Sequence, residues 1–396
     1  MVDSERPPLK LYFIAGEPSG DLLAGRLMAA IKRKADCPVS FAGVGGETML
    51  DEGLESLFPM HELSIMGVAE ILPKAFHLIR RMRETARDIQ RVAPDILVTV
   101  DAPAFCFGVI KRLGGFPVRK IHYVAPTVWA WRPKRAKKFA RVFDHLMTLL
   151  PFEPPYFEKA GLPTTFVGHS VIEAGVDKAD GTGFRAQHGI APEAPLLCVL
   201  PGSRMGEVTR HLGPFGEAVA RLHREHPALS IVVPTVPAIA EFVRSETRSW
   251  TLPVVVVENE PDRFAAMAAS NVALAASGTV ALELAIARTP SVIAYRVHPL
   301  THRIVKRLIK VQYANLVNLL LDRGVIPEFL QDRCRAELLA EAVGRLLVDG
   351  RARSAQIAAY DQAIDMLSAG GGSPSEAAAA CVLGSIAGGQ PNKRAL

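Results

Sequence analysis

The feature that most constrains this chain is a recurring local order: a short apolar, β-branched run, a turn built on Gly, Pro or Ser, then a helical pattern. Leu11 to Ala15 is the first run, Gly16-Glu17-Pro18 the turn, and a helix is expected from Ser19. The order returns at Ile96 to Val100, Lys120 to Val124 and His145 to Leu149. It returns again at Leu196 to Leu200, Ser230 to Pro234, Val254 to Val257, Val272 to Ala275 and Ser291 to Ala294. Strands alternating with helices in this way predict parallel, doubly wound sheets.

At 396 residues the chain exceeds what one hydrophobic core organises, so two Rossmann-like α/β domains are predicted. The polar, Gly- and Ala-rich passage from Glu173 to Pro195 reads as the linker. The expected domains are residues 1–180 and 195–350, with a helical tail over 351–396 that packs back toward the first domain.

Hydrophobic residues at 49% and charged residues at 22% exclude a disordered chain. Ala265 to Ala287 is long and apolar enough to suggest a membrane span, but Ser270, Asn271, Ser277, Thr279 and Glu283 argue for a buried strand and helix. The N-terminal apolar run is too short for a signal peptide, so a cytoplasmic protein is expected. Five scattered cysteines without CxxC or His spacing read as reduced packing residues. A formal net charge of +6 favours an anionic partner, either a phosphorylated substrate or an acidic lipid surface, and by itself leaves nucleic acid open.

Several turns carry residues suited to chemistry. Gly16-Glu17-Pro18-Ser19-Gly20-Asp21 puts backbone amides at the carboxyl edge of the first strand, although Ser19 would serve equally as a helix cap. Gly43-Val44-Gly45-Gly46 lacks the GxGxxG spacing and is read as a close backbone approach. Asp101 ends a buried apolar strand, the place for a general base; the competing reading is a cap for the next helix. Trp129 and Trp131, followed by Arg132, Lys134, Arg135, Lys137, Lys138 and Arg141, suit sugar or phosphate contact, or else a packed corner beside a solvated basic face.

In the second half, Pro201-Gly202-Ser203-Arg204 follows a strand and opens a helix, with Glu207 one turn on; an Arg there can pair with pyrophosphate. Ser277, Gly278 and Thr279 form a second such turn, and Glu283 can accept from ribose hydroxyls. Two phosphate-type turns place a nucleotide in the second domain. There is no DxD triplet or His cluster, so no metal and no cofactor is expected, and Arg204 with the helix dipole is left to stabilise the leaving group.

From Leu63 to Arg91 a three-four spacing of Ile65, Val68, Leu72, Ile79, Met82, Ala86 and Ile89 describes a buried stripe. Met66, Ile71 and Leu78 fall off it, among Arg80, Arg81 and Arg83, and Pro73 is expected to break or kink the helix. An apolar and basic element at the surface fits an anionic membrane; the competing reading is that Met66, Ile71 and Leu78 pack on the second domain or a partner subunit.

In order, GEPSGD, GVGG, MGVAEILPK, VAPTVWAWRPKR, LPGSR, SGTVALE and NLLLDRGVIPEFLQ resemble the lipid-A-disaccharide synthase family from Leu11 to Gln331. The resemblance implies a GT-B fold, two Rossmann-like domains facing a cleft, and an inverting, metal-independent glycosyltransferase. It implies UDP-2,3-diacylglucosamine as donor and 2,3-diacylglucosamine 1-phosphate as acceptor, a β-1,6 tetraacyl disaccharide phosphate as product, and no nucleic acid partner. It implies a place on the inner face of the cytoplasmic membrane and leaves a homodimer open. Carried over by position, Asp101, Arg204, Glu283 and Asn318 match active-site residues, and Glu17 and Ser19 lie in the acceptor-domain loop. The family commonly has Pro before the asparagine of its NLL motif; here the segment reads Asn315-Leu316-Val317-Asn318, so which asparagine faces ligand stays open. A UDP-sugar epimerase of similar fold and a noncatalytic lipid-binding module are the competing readings.

Overall fold

The computed structural model describes residues 7–63, 68–131, 133–250, 252–297 and 311–387, with the backbone alone at 68–75 and 387. The chain divides into two compact units. One combines residues 1–170 with 367–396; the other is Val171–Met366.

The first unit is built on β1 (Leu9–Ala15), β2 (Val39–Val44), β3 (Glu55–Ser56), β4 (Ile96–Val100), β5 (Arg119–Tyr123), β6 (His145–Thr148) and β7 (Thr164–Phe166). They form a parallel sheet in the order β3-β2-β1-β4-β5-β6-β7. Beyond Lys10, β1 and β4 are buried throughout and almost wholly apolar because both faces are covered, as parallel sheets require. Tyr12 and Ile14 face a core with Ala86, Ile89, Val109 and Phe139. Leu11 and Phe13 face the other, with Leu27, Ile31, Ala379 and Val382.

The second unit repeats the plan with β8 (Leu196–Leu200), β9 (Ser230–Pro234), β10 (Val254–Val257), β11 (Val272–Ala275), β12 (Ser291–Tyr295) and β13 (Glu328–Leu330). Its parallel order is β10-β9-β8-β11-β12-β13. Leu197, Val199, Leu274 and Val292 meet Phe215 and Leu222 from the helix Met205–Glu225, and Leu339 and Val343 from the helix Ala336–Val348.

The passage from 173 to 195 is not a linker. It belongs to the second unit and contains the helix Gly181–Gln187, capped by Asp180 and packed on the helix Glu260–Ala269. Arg185 organises it, donating to the carbonyls of Ala269 at 2.8 Å, Ala191 at 2.9 Å and Ala194 at 2.9 Å, and to Asn271 Oδ1 at 3.0 Å. Gly and Ala suggested slack chain, but one guanidinium supplies the bonds that hold it. The tail also divides. Tyr360 of the helix Gly350–Leu367 bonds Ser291 at 3.0 Å in the second unit, whereas the helix Pro374–Ala387 packs on the helix Pro18–Lys34 in the first.

Pro73 does not break its helix, which runs continuously over Val68–Val92. Among the described residues no helix is long and apolar enough to cross a membrane. Ala265 to Ala287 resolves into the end of one helix, the strand β11 and the helix Val280–Ile286.

Candidate active site at the two switch-point edges

In a doubly wound sheet the strand order reverses direction at one place, and ligands bind at the carboxyl ends of the two strands that flank it. In the first unit those strands are β1 and β4, paired from Leu11↔Ile96 to Ala15↔Val100. The segment from Gly16 to Asp21 follows one; Asp101 follows the other. The two are in contact, since a Cβ on Gly16 would lie 2.8 Å from Ala102 Cβ.

The backbone beyond β4 is strained. Asp101 and Ala102 both sit in the left-handed region, at φ +48° and +44°, and beyond β5 the β-branched Val124 stands at φ +80°. Each such residue costs roughly 1–3 kcal/mol, and such costs collect at functional sites. The turn is fixed by Asp101 N–H donating to Tyr123 O at 3.0 Å and by Pro103, which opens the helix Pro103–Leu113. Ala102, not Asp101, is the N-cap residue, and no side chain caps that helix. The Asp101 carboxylate is half-buried, and burial pushes its pKa up, partly offset by a hydrogen bond from the Ala102 amide.

Glu17 is the N-cap residue of the helix Pro18–Lys34 but makes no side-chain capping bond; it and Ser19 are exposed. Asp21 is buried, and its carboxylate accepts from Gly46 N at 2.7 Å, Thr48 N at 3.0 Å and Met49 N at 3.2 Å. It therefore ties the first motif to the glycine run and caps the helix Glu47–Asp51. Gly43, at φ +145°, lies against β1, where a Cβ would fall 1.9 Å from Phe13 O.

Sequence reasoning missed Glu153. It is buried after β6, accepts from Trp129 Nε1 and from Leu150 N at 3.1 Å each, and burial pushes its pKa up to about 7. Trp129 is thereby held, edge-on to Phe152 at 5.2 Å, while Trp131 Nε1 donates to Thr127 Oγ1 at 3.1 Å. Arg132 lies outside the described residues.

In the second unit the switch falls between β8 and β11, paired Leu197 with Val272. Pro201 to Arg204 follows β8, and Ala276 to Thr279 follows β11. Arg204 is the N-cap residue of the helix Met205–Glu225; its side chain is 63% exposed and lies 3.5 Å from Glu207 Oε1. Ser277 Oγ donates to Ala314 O at 3.1 Å, while Gly278, at φ +150°, and Thr279 are exposed. Glu283 is half-buried; burial raises its pKa, which Arg263 counters and Glu260 reinforces.

Asn318 is engaged within its own loop. Its Nδ2 donates to Ile326 O and Glu328 Oε1, both at 2.9 Å, and its Oδ1 accepts from Val325 N and Ile326 N, both at 2.9 Å. All four hydrogen-bonding positions of the carboxamide are taken. Asn315 is equally engaged, with Oδ1 accepting from Asn318 N at 2.9 Å and Nδ2 donating to Glu328 at 2.5 Å. Glu328, inside a motif the sequence displayed, is the hub, also accepting from Ala314 N at 2.8 Å and Asn315 N at 3.1 Å. Both carboxamides thus hold the loop, Asn315 and Asn318 alike.

The surface element is also revised. Met66 and the side chain of Ile71 lie outside the described residues, and Leu78 packs half-buried against the core of the first unit. Arg81 is held by Glu62, with both contacts at 2.7 Å, and by Glu84 at 2.7 Å, over the Phe58 ring at 4.4 Å. Those bonds from Arg81, aided by His77, hold Glu62 down to about 2 against the effect of burial. What stands free is the opposite face: Phe76, 84% exposed, with Arg80, Arg83 and Arg87 exposed at helical spacing.

Among the described residues no three His, Cys, Asp or Glu side chains gather as a metal site. Two parallel doubly wound units, each with paired turns at its switch point, define the class of two-domain nucleotide-sugar enzymes with the GT-B fold. The solved UDP-GlcNAc 2-epimerase from Neisseria meningitidis, bound to UDP-GlcNAc, shares this fold with a TM-score of 0.62 at 12% identity, covering 96% of this chain and 100% of that one. MurG from Acinetobacter baumannii shares it with a TM-score of 0.56 at 13% identity, covering 97% and 100%. The family described as lipid-A-disaccharide synthetase matches residues 11–381. The lipid-A-disaccharide synthase of Rhodospirillum centenum is 52% identical over 381 residues, 96% of this chain and 95% of the relative; that of Paramagnetospirillum magneticum is 52% identical over 377 residues, 94% and 96%. The chain belongs to the lipid-A-disaccharide synthase family, the glycosyltransferases of lipid A biosynthesis. Its likeness to the epimerases is one of fold, not of family.

Proposed function

We propose that the chain transfers 2,3-diacylglucosamine from UDP-2,3-diacylglucosamine to 2,3-diacylglucosamine 1-phosphate, giving a β-1,6 tetraacyl disaccharide 1-phosphate and UDP. The observation that carries this reading is family membership over residues 11–381 joined to motif pairs at both switch points. Asp101 takes the proton from the acceptor 6-hydroxyl as that oxygen bonds the anomeric carbon. The bond from that carbon to the UDP oxygen breaks, so a single displacement inverts the centre. Glu17 and Ser19, exposed in the segment whose Gly16 meets the turn after β4, contact the acceptor. In the second unit Arg204 and the turn of Ser277, Gly278 and Thr279 receive the pyrophosphate, and Glu283 the ribose. Positive charge and amides there stabilise the leaving group without a metal.

Both substrates carry acyl chains, and we place the enzyme peripherally at the inner face of the cytoplasmic membrane. Phe76, Arg80, Arg83 and Arg87 support that placement, since an aromatic among cations suits an anionic interface. Mass spectrometry of the products from donor and acceptor, run with and without EDTA, tests the reading. The disaccharide phosphate should form one-for-one with UDP in both. An epimerised sugar formed from donor alone would overturn the transfer, and activity lost to EDTA and restored by Mg²⁺ would overturn metal independence.

A further inference from the structure

Glu207 sits under the turn that carries Arg204 and receives it from three directions. Tyr295 O–H, at the end of β12, donates to Oε1 at 3.1 Å; Ser203 N–H donates to Oε2 at 3.3 Å; and Arg204 Nη1 lies 3.5 Å from Oε1. Gly202, at φ +123°, lets the turn close on it, because a Cβ there would fall 2.7 Å from Glu207 Cβ. The Glu207 side chain is only 14% exposed whereas Arg204 is 63% exposed, so the carboxylate is the fixed partner and the guanidinium the presented one.

The surroundings fix Tyr295 in turn. Its ring lies 5.2 Å from that of His211, which is buried. His211 Nδ1 is 2.7 Å from Pro201 O and Nε2 is 2.9 Å from Arg296 N. A carbonyl only accepts and an amide N–H only donates, so the ring is neutral with its proton on Nδ1. It joins the turn after β8 to the end of β12. Burial keeps the His211 pKa low, which preserves that form, and burial together with Glu207 keeps the Tyr295 hydroxyl protonated and donating.

We propose that Glu207 and Tyr295 are positioning residues that aim Arg204 at the diphosphate of the nucleotide. This rests on the reading of Arg204 above. Glu207 holds the guanidinium over the turn, and the Tyr295 hydroxyl occupies part of that carboxylate and fixes its orientation. Preorganisation of this kind lowers what binding must spend on ordering a long side chain. Neither residue touches the reacting atoms, so their loss acts only through Arg204: donor affinity falls, and kcat falls with it to the extent that Arg204 also stabilises the leaving diphosphate.

The test is a double-mutant cycle of Tyr295→Phe and Arg204→Ala, reading the Kd for UDP by calorimetry and the split of KM against kcat for the UDP-sugar. Tyr295→Phe should weaken UDP about tenfold, as a hydrogen bond to a charged group allows. It should lower kcat/KM for the UDP-sugar by at least the same factor, with neither effect exceeding that of Arg204→Ala. In the Arg204→Ala background the same change should do nothing further. Glu207→Gln, run through the same cycle, keeps an acceptor for Tyr295 but loses the charge, and should weaken UDP likewise. Equal effects in both backgrounds would overturn the proposal, as would an unaltered Kd in Tyr295→Phe while Arg204→Ala binds poorly. If Arg204→Ala itself binds UDP normally, the reading of Arg204 falls and the proposal with it.

Discussion

Gly16 and Ala102 meet where the first motif passes the strained turn after β4, so closely that a side chain on Gly16 would be 2.8 Å from Ala102 Cβ. The backbone, not a flexible side chain, must yield. Gly16→Ala should therefore displace Asp101 and Ala102, already at φ +48° and +44°. Overpacking of this size costs about 1–3 kcal/mol. The expected outcome is a small fall in Tm with a disproportionate fall in kcat, about tenfold or more, because a misplacement at the reacting groups is amplified. A kcat that falls no more than stability would show that the contact is packing only.

Asp101→Asn keeps the shape of the turn but removes the proposed base. The expected loss is about 10²-fold or more in kcat with UDP affinity intact. The folded pKa of Asp101 is raised, so its carboxylate ionises at higher pH than an ordinary aspartate. Activity should rise with pH along an acid limb displaced upward from 3.8, the ordinary aspartate value, and Asp101→Asn should abolish that limb. An unchanged limb in the variant would assign it to another group.

Glu153 gives a stability test. Its pKa is about 7 in the folded unit against 4.5 ordinarily, so the fold disfavours the ionised form. Its contribution is fully present below pH 4.5 and is lost as pH rises through about 7. Over that window the loss is on the order of 3 kcal/mol. Buried His122 and His169, lowered to about 3 and about 4, act in the opposite direction, so the difference between wild type and Glu153→Gln isolates the effect. Gln cannot accept from both Trp129 and Leu150, which should make the variant less stable at pH 5 and less so at pH 7.5. A gap between the two urea midpoints that does not narrow with pH would contradict this.

Asn318→Ala should behave as a structural lesion. Two N–H donors and two acceptor positions are lost at a buried site, leaving Val325 N and Ile326 N without their partner. The expected cost is about 1–3 kcal/mol. UDP affinity measured well below the lowered Tm should change less than threefold. A large affinity loss at full stability would return Asn318 to the ligand.

Both sheets were legible because strands covered on two faces are mostly apolar, and five of them have the limits their residues suggested, Ile96–Val100 and Leu196–Leu200 among them. β2, β3, β7 and β13 were missed. β3 has only two residues, and β2 carries Gly43, whose role is to let β1 approach. The placement of Asp101 and Arg204 at strand ends was also legible, since a turn after an apolar run lies at a carboxyl edge by construction. What was not legible were the partners 25 to 90 residues away: Asp21 capping Gly46 and Met49, or Tyr295 on Glu207. A carboxylate looks the same in sequence whether it awaits a ligand or a backbone amide. Asn318 matched a family motif yet turns inward for that reason.

The helix Val68–Val92 has two faces that bear differently on membrane contact. Leu78 packs against the core of the first unit beside Met82, so Leu78→Ser should destabilise that unit. A half-buried leucine made polar costs about 1–3 kcal/mol, with little direct effect on lipid. Phe76 lies on the opposite face, 84% exposed, with Arg80, Arg83 and Arg87 following at four, seven and eleven residues. An exposed phenylalanine contributes nothing to the core, and roughly 2 kcal/mol becomes available when it enters an apolar phase. Phe76→Ser should therefore weaken binding to anionic liposomes by about tenfold or more while leaving Tm unchanged. Arg80→Ala with Arg83→Ala should weaken it further at low salt and lose that difference at high salt, because the cations act through a screened field. Liposome binding that survives Phe76→Ser but falls with Leu78→Ser at equal folded fraction would place the contact on the wrong side of this helix.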